Sequence, residues 1–262
     1  MSTSTPRTAV LAEPDPDPTP DPVPTRRGSP RSAAAALCTL LGLGLLGGAG
    51  LSGWAEHRAA HRPLTAEAAY RKAGSLWRAT PVDTLFPPVL TGADAGPGGA
   101  DRTWTRVALA PDADCGPALA PDWQTALAAT GCARVLRATY TDATRSSLVT
   151  VGMVFTPADA PAMEALRGRL PAPPGYGFAD GRRGAWTASV LSEAPVVVYT
   201  VSAFSDGRPL EEPHPAEDMM RKDATGAAAR AGLGHEAKAV ADLMQRSVRA
   251  LAAPPAPAEP VR

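Results

Sequence analysis

The sequence predicts an α+β fold of ferredoxin-like (split βαβ) type: an antiparallel sheet of four or five strands with helices on one face, preceded by one transmembrane helix and a disordered arm. Three observations predict it. Residues 133–141 (ARVLRATYT) and 148–156 (LVTVGMVFT) are rich in β-branched and aromatic types on either side of a short polar turn. The elements that follow from periodicity run strand, helix, strand, strand, helix, strand. Residues 32–55 carry no charge over 24 positions.

From the amino terminus, residues 13–24 read EPDPDPTPDPVP, with Pro at every second position. Each Pro fixes φ and removes a donor, and each residue before it is pushed to extended geometry, so 1–31 is expected to be a disordered, polyproline-like cytoplasmic arm. The uncharged stretch 32–55 is long enough to span ~30 Å of hydrocarbon at 1.5 Å per residue. Arg26, Arg27 and Arg31 precede it, which by the positive-inside tendency sets the amino terminus in the cytoplasm and the rest outside. This places the chain in the cell membrane as a single-pass protein, with the membrane itself as its first partner. A cleaved leader ending near 53–55 is the competing reading. Gly44, Gly48 and Ser52 fall four apart, a helix-packing face through which two copies could form a homodimer.

Residues 56–103 read as a juxtamembrane helix, about 64–79, and a linker rich in Gly and Pro. The outward domain spans 104–251. Its first strand covers 104–110, followed by a short helix at 121–130 inside the segment bounded by Cys115 and Cys132. With Cys38 in the apolar stretch, those two form the one outward pair, and an oxidising compartment permits their disulfide. The hairpin of 133–141 and 148–156 comes next, with Val149, Val151, Met153 and Phe155 on one face by period two. A helix at 160–170, a loop at 171–183, a second hairpin of 185–191 and 196–203, and helices at 215–231 and 236–251 complete it. Residues 252–262 read as a disordered tail.

The Pro-rich leader, the span, and the stretches DTLFPP (83–88), GCARVLRATYTD (131–142) and VTVGMVF (149–155) together resemble a group of uncharacterised actinobacterial single-pass membrane proteins. The resemblance covers about 33–250. It implies an envelope location and nothing about activity.

Chemistry is sparse. Lys and Arg number 26 against 26 Asp and Glu, so no basic excess points to nucleic acid. No GxSxG occurs, and no cofactor is expected. The densest cluster of possible metal ligands is EEPHPAED, where Glu211, His214, Glu217 and Asp218 could bind a divalent cation; the same residues read first as a helix start, with acids on its amino-terminal dipole. Tyr176, Phe178, Arg182 and Arg183 in the 171–183 loop bring together aromatic and Arg types that anchor interfaces. The functional expectation is a membrane-anchored envelope protein with a non-catalytic binding or interaction domain for an envelope protein or wall ligand. The alternatives are a metal-dependent hydrolase using the 211–218 cluster and a structural subunit of a membrane assembly.

Overall fold

Thr65 starts the domain by capping its first helix, α1 (Ala66–Ala73): the hydroxyl accepts from the Ala68 N–H at 3.2 Å. Glu67 in the first turn and Arg71 and Lys72 in the last complement the helix dipole. In this computed structural model the described residues are 41–42, 53–54 and 64–253. Single turns α2 (Leu76–Ala79) and α3 (Val82–Leu85) lead into strands β1 (Val89–Gly92) and β2 (Arg102–Leu109). Short helices α4 (Cys115–Ala118) and α5 (Pro121–Ala126) follow, then β3 (Arg134–Asp142), β4 (Ser147–Phe155), α6 (Ala160–Leu166), β5 (Ala185–Val190) and β6 (Val196–Phe204). The domain ends with β7 (His214–Pro215), α7 (Ala216–Met219), α8 (Ala227–Arg230) and α9 (Leu233–Ala252).

The seven strands form one sheet in the order β1-β2-β3-β4-β6-β5-β7. All neighbours are antiparallel except β5 and β7, which pair in parallel over two residues. Register sorts the side chains onto two faces. Tyr140 opposes Val149, Met153 opposes Val198 and Phe155 opposes Val196, so these share the face that receives Val240, Met244 and Val248 of α9. Those α9 residues recur at spacings of four, one stripe of a 3.6-residue helix. Burying each such side chain is worth about 1.5–3 kcal/mol. The two hydroxyls that β6 turns toward α9 are satisfied by its first turns: Thr200 Oγ1 donates to the Ala237 carbonyl and Ser202 Oγ to the Leu233 carbonyl, both at 2.9 Å.

The opposite face is also covered. Val135, Val154, Val197 and Tyr199 pack against Trp123 and Leu127 from α5 and its end and against Met163 and Leu166 from α6. The Trp123 and Tyr199 rings lie 5.1 Å apart at 57°, a tilted aromatic pair. Gly152 sits opposite Tyr199 and makes room for that ring: a methyl there would fall 2.0 Å from Tyr199 Cζ.

Two expectations are corrected. The sheet has seven strands and is mixed, with helices on both faces, in place of four or five antiparallel strands with helices on one. The cause lies in β6, whose VVVYTVSAF is buried at all nine positions: a strand apolar on both sides needs two covers. β1 adds a strand where a linker was expected. The single-pass placement in the cell membrane, with the amino terminus cytoplasmic and the outer domain extracytoplasmic, is corrected too. Among the described residues no helix is long and apolar enough to cross a membrane. The longest, α9, carries Glu236, Lys238, Asp242, Arg246 and Arg249. The expected span at 32–55 lies outside the described residues except for Leu41, Gly42, Gly53 and Trp54, and the helix-packing face of Gly44, Gly48 and Ser52 lies wholly outside them. Absence of charge is a weak criterion for such a stretch, because half of residues 33–54 are Ala or Gly, which contribute little apolar area.

Candidate binding groove

Three separate segments converge beside the end of α9 to leave a groove of about 770 Å³. Ala66, Ala69 and Tyr70 of α1 form one wall, residues 157–161 at the start of α6 another, and Ser192 and Glu193 of the β5–β6 turn a third; Ala252 and Ala253 close it. Short Ala and Pro side chains make the cavity, since their backbones are held apart by packing elsewhere while their side chains leave the space empty. α1 reaches the β5–β6 turn through Gly74, where a methyl would come within 2.9 Å of Pro195 Cγ. α6 is fixed by Asp159, whose carboxylate accepts from the Ala162 N–H at 2.9 Å, with Pro161 preset for its first turn.

The polar groups sit in two places. Glu67 pairs with Arg71 on α1, and Glu193 pairs with Arg249 at 3.3 Å; Arg249 also donates to Gln245 Oε1 at 3.2 Å. Burial opposes ionisation of Glu193, but its own backbone N–H, Ser192 and Arg249 outweigh it and hold the carboxyl below its usual range. Within the wall, the Tyr70 hydroxyl is buried with no hydrogen-bond partner among the described residues. Its acidity is pushed down, to a pKa of about 12, first by burial and then by the nearby Asp159 charge. A neutral Tyr70 O–H is therefore present at every physiological pH. The hydroxyl lies behind the wall and is closed off from the groove. An apolar wall flanked by ion pairs at the rim can orient a ligand with an apolar body and a polar end.

The residues singled out in the sequence lie elsewhere. Cys115 and Cys132 are joined by a disulfide, with Cα atoms 6.1 Å apart, and it closes the segment that carries Trp123 onto the sheet. A loop of that length is worth about 3 kcal/mol in the chain-entropy account. His214 is on β7, Glu217 and Asp218 are in the first turn of α7, and Glu211 is on the loop before them; Asp218 pairs with Arg221 at 3.4 Å. Among the described residues no three His, Cys, Asp or Glu side chains are grouped to hold a metal ion. In the 171–183 loop, Thr139 Oγ1 and Thr150 Oγ1 donate to the Tyr176 carbonyl at 2.6 and 2.9 Å, and the Tyr176 N–H donates to Thr150 Oγ1 at 3.0 Å. Arg137 lies over the Tyr176 ring at 5.0 Å. Arg183 donates to the Pro173 and Asp180 carbonyls, and Phe178 folds back over Gly175. Arg182 stays exposed.

Sequence reasoning missed the groove, and no local pattern would have found it: its walls are a few small residues brought together from segments far apart in the chain. Comparison with known proteins yields no family model, no curated protein and no solved structure that matches this chain.

Proposed function

We propose that this domain is a non-catalytic binding module whose groove beside α1 and the end of α9 takes a ligand with an apolar body and one polar end. The observation that carries the reading is the groove itself: about 770 Å³, within the size of small-molecule sites, with walls of Ala and Pro and ion pairs at its rim. The chemistry follows from that lining. Apolar area lost from water supplies the affinity, and the Glu193–Arg249 pair marks the polar end.

The probe is 1-anilinonaphthalene-8-sulfonate, an aromatic body with one anionic end, titrated into the folded protein. Saturable binding is expected, weakened at least tenfold in Ala66→Phe or Ala160→Phe, which fill the groove from exposed positions without touching the core. Tyr70→Phe, which removes only a hydroxyl closed off from the groove, should leave binding unchanged. Binding as tight in Ala66→Phe and Ala160→Phe as in the native protein would refute the assignment.

A further inference from the structure

β5 is open along most of its outer edge. β7 pairs with it only at Ala185 and Trp186, after which the chain turns away into α7, and among the described residues no strand follows. Beside this edge runs a cleft of about 260 Å³, lined by residues 186–189 of β5, by Pro215 and Glu217, and by Lys238, Asp242 and Gln245 of α9. Successive residues of a strand point to opposite faces, so a cleft touching all four of 186–189 lies along the main chain of the edge and not over either face.

The hydrogen-bond pattern shows which groups are on offer. The Leu191 N–H donates to Val196 O, and antiparallel pairs alternate, so Ser189 and Thr187 face β6 while Ala188 and Val190 face outward. β7 uses the same outward line: the His214 N–H donates to Gly184 O at 2.9 Å. Ala188 and Val190 therefore continue a ladder that the chain itself begins and leaves. Residues 187–190, Thr-Ala-Ser-Val, include no charge and no Pro, the usual devices that blunt an edge.

The opposite wall is firm, and its charges are paired. Lys238, Asp242 and Gln245 recur at helical spacing on one face of α9; Lys238 donates to both Asp242 oxygens at 2.6 Å, and Gln245 Nε2 donates to Ser189 Oγ at 3.1 Å. Glu217 at the β7 end is exposed and has no ion-pair partner among the described residues, which leaves the cleft with one uncompensated negative charge.

We infer that the open edge of β5 binds an extended peptide, added as a strand parallel to β5 in line with β7, with a basic side chain of the peptide placed against Glu217. Main-chain hydrogen bonds at Ala188, which lines the cleft, supply affinity, and Glu217 supplies selectivity. This site is separate from the groove and does not depend on it.

The test is a synthetic library of fluorescein-labelled heptapeptides, randomised at every position, screened against the full chain. Lys or Arg should be enriched at one position, and Glu217→Lys should switch that preference to Asp or Glu. Ala188→Pro removes an outward donor at a position that does not bond β6, and should weaken the selected peptides at least tenfold. If that variant fails to fold, N-methylation of alternate peptide bonds in the selected peptides removes the same ladder from the other side and should give the same loss. No enrichment, or enrichment untouched by the charge reversal and by loss of the ladder, overturns the inference. A concentration-dependent dimer abolished by Ala188→Pro also overturns it, because a second copy then occupies the edge.

Discussion

Asp142 offers the sharpest test of how this fold is held. It ends β3, is only 3% exposed, and gathers the whole β3–β4 turn. One carboxylate oxygen accepts from the Ser146 and Ser147 N–H groups, both at 2.7 Å; the other accepts from the Thr144 N–H at 3.1 Å and from the Thr144 hydroxyl. Arg145 takes a positive φ of 57° within the turn. Burial opposes ionisation, but these donors outweigh it and hold the pKa at about 2, against 3.8 for a free Asp. The folded value is depressed, so the contribution is fully present above pH 3.8 and is lost as pH falls through about 2. A shift of that size is worth about 2 kcal/mol at neutral pH. Asp142→Asn keeps the shape and one acceptor but turns an NH₂ toward donors. Urea denaturation should show the variant about 2 kcal/mol less stable at pH 7, with the gap shrinking to about 0.5 kcal/mol at pH 2. A gap of equal size at both pH values would mean that the turn is held by shape and not by charge.

Two further outcomes follow from buried groups. Glu236, 4% exposed, accepts from the Trp104 indole N–H and lies 3.5 Å from Arg102; burial, aided by the Asp142 charge, raises its pKa against the opposing pull of Trp104 and Arg102. Here the sign reverses: the contribution is complete below the unfolded value of 4.5 and declines as pH rises through the folded one, with a slope of at most about 1.4 kcal/mol per pH unit. The difference in urea midpoint between the native protein and Glu236→Gln should therefore drift in favour of the variant from pH 4 upward; parallel curves would contradict it. Gly152→Ala should cost about 3 kcal/mol by calorimetry, because the added methyl meets the Tyr199 ring, and Tyr199→Leu should recover part of that loss in the double variant.

Strands β3 and β4 were readable from their β-branched, period-two stretches because tertiary context only reinforces what those residues do locally. The sheet's extent was not readable. β1 has four residues, too few to show a period, inside a stretch rich in Gly and Pro. The second cover of the sheet depends on Trp123 and Leu127 reaching Val154 and Tyr199 from distant parts of the chain. Glu236 could be read only as a helix-start acid, since its partner Trp104 is 132 residues away. Neither the groove nor the open edge of β5 has a local sign. One is space left by small residues, and the other follows from β7 pairing with only two residues of β5.

Thr139 and Thr150 grip the main chain of residue 176, not its ring. Any residue but proline, which lacks the N–H that Thr150 accepts, would be held by the same clasp, so that the display on the surface can change while the clasp beneath it does not. The 171–183 loop is in this respect a socket: its mounting is written in the threonines of β3 and β4, and what it presents is written independently at 176 and 178.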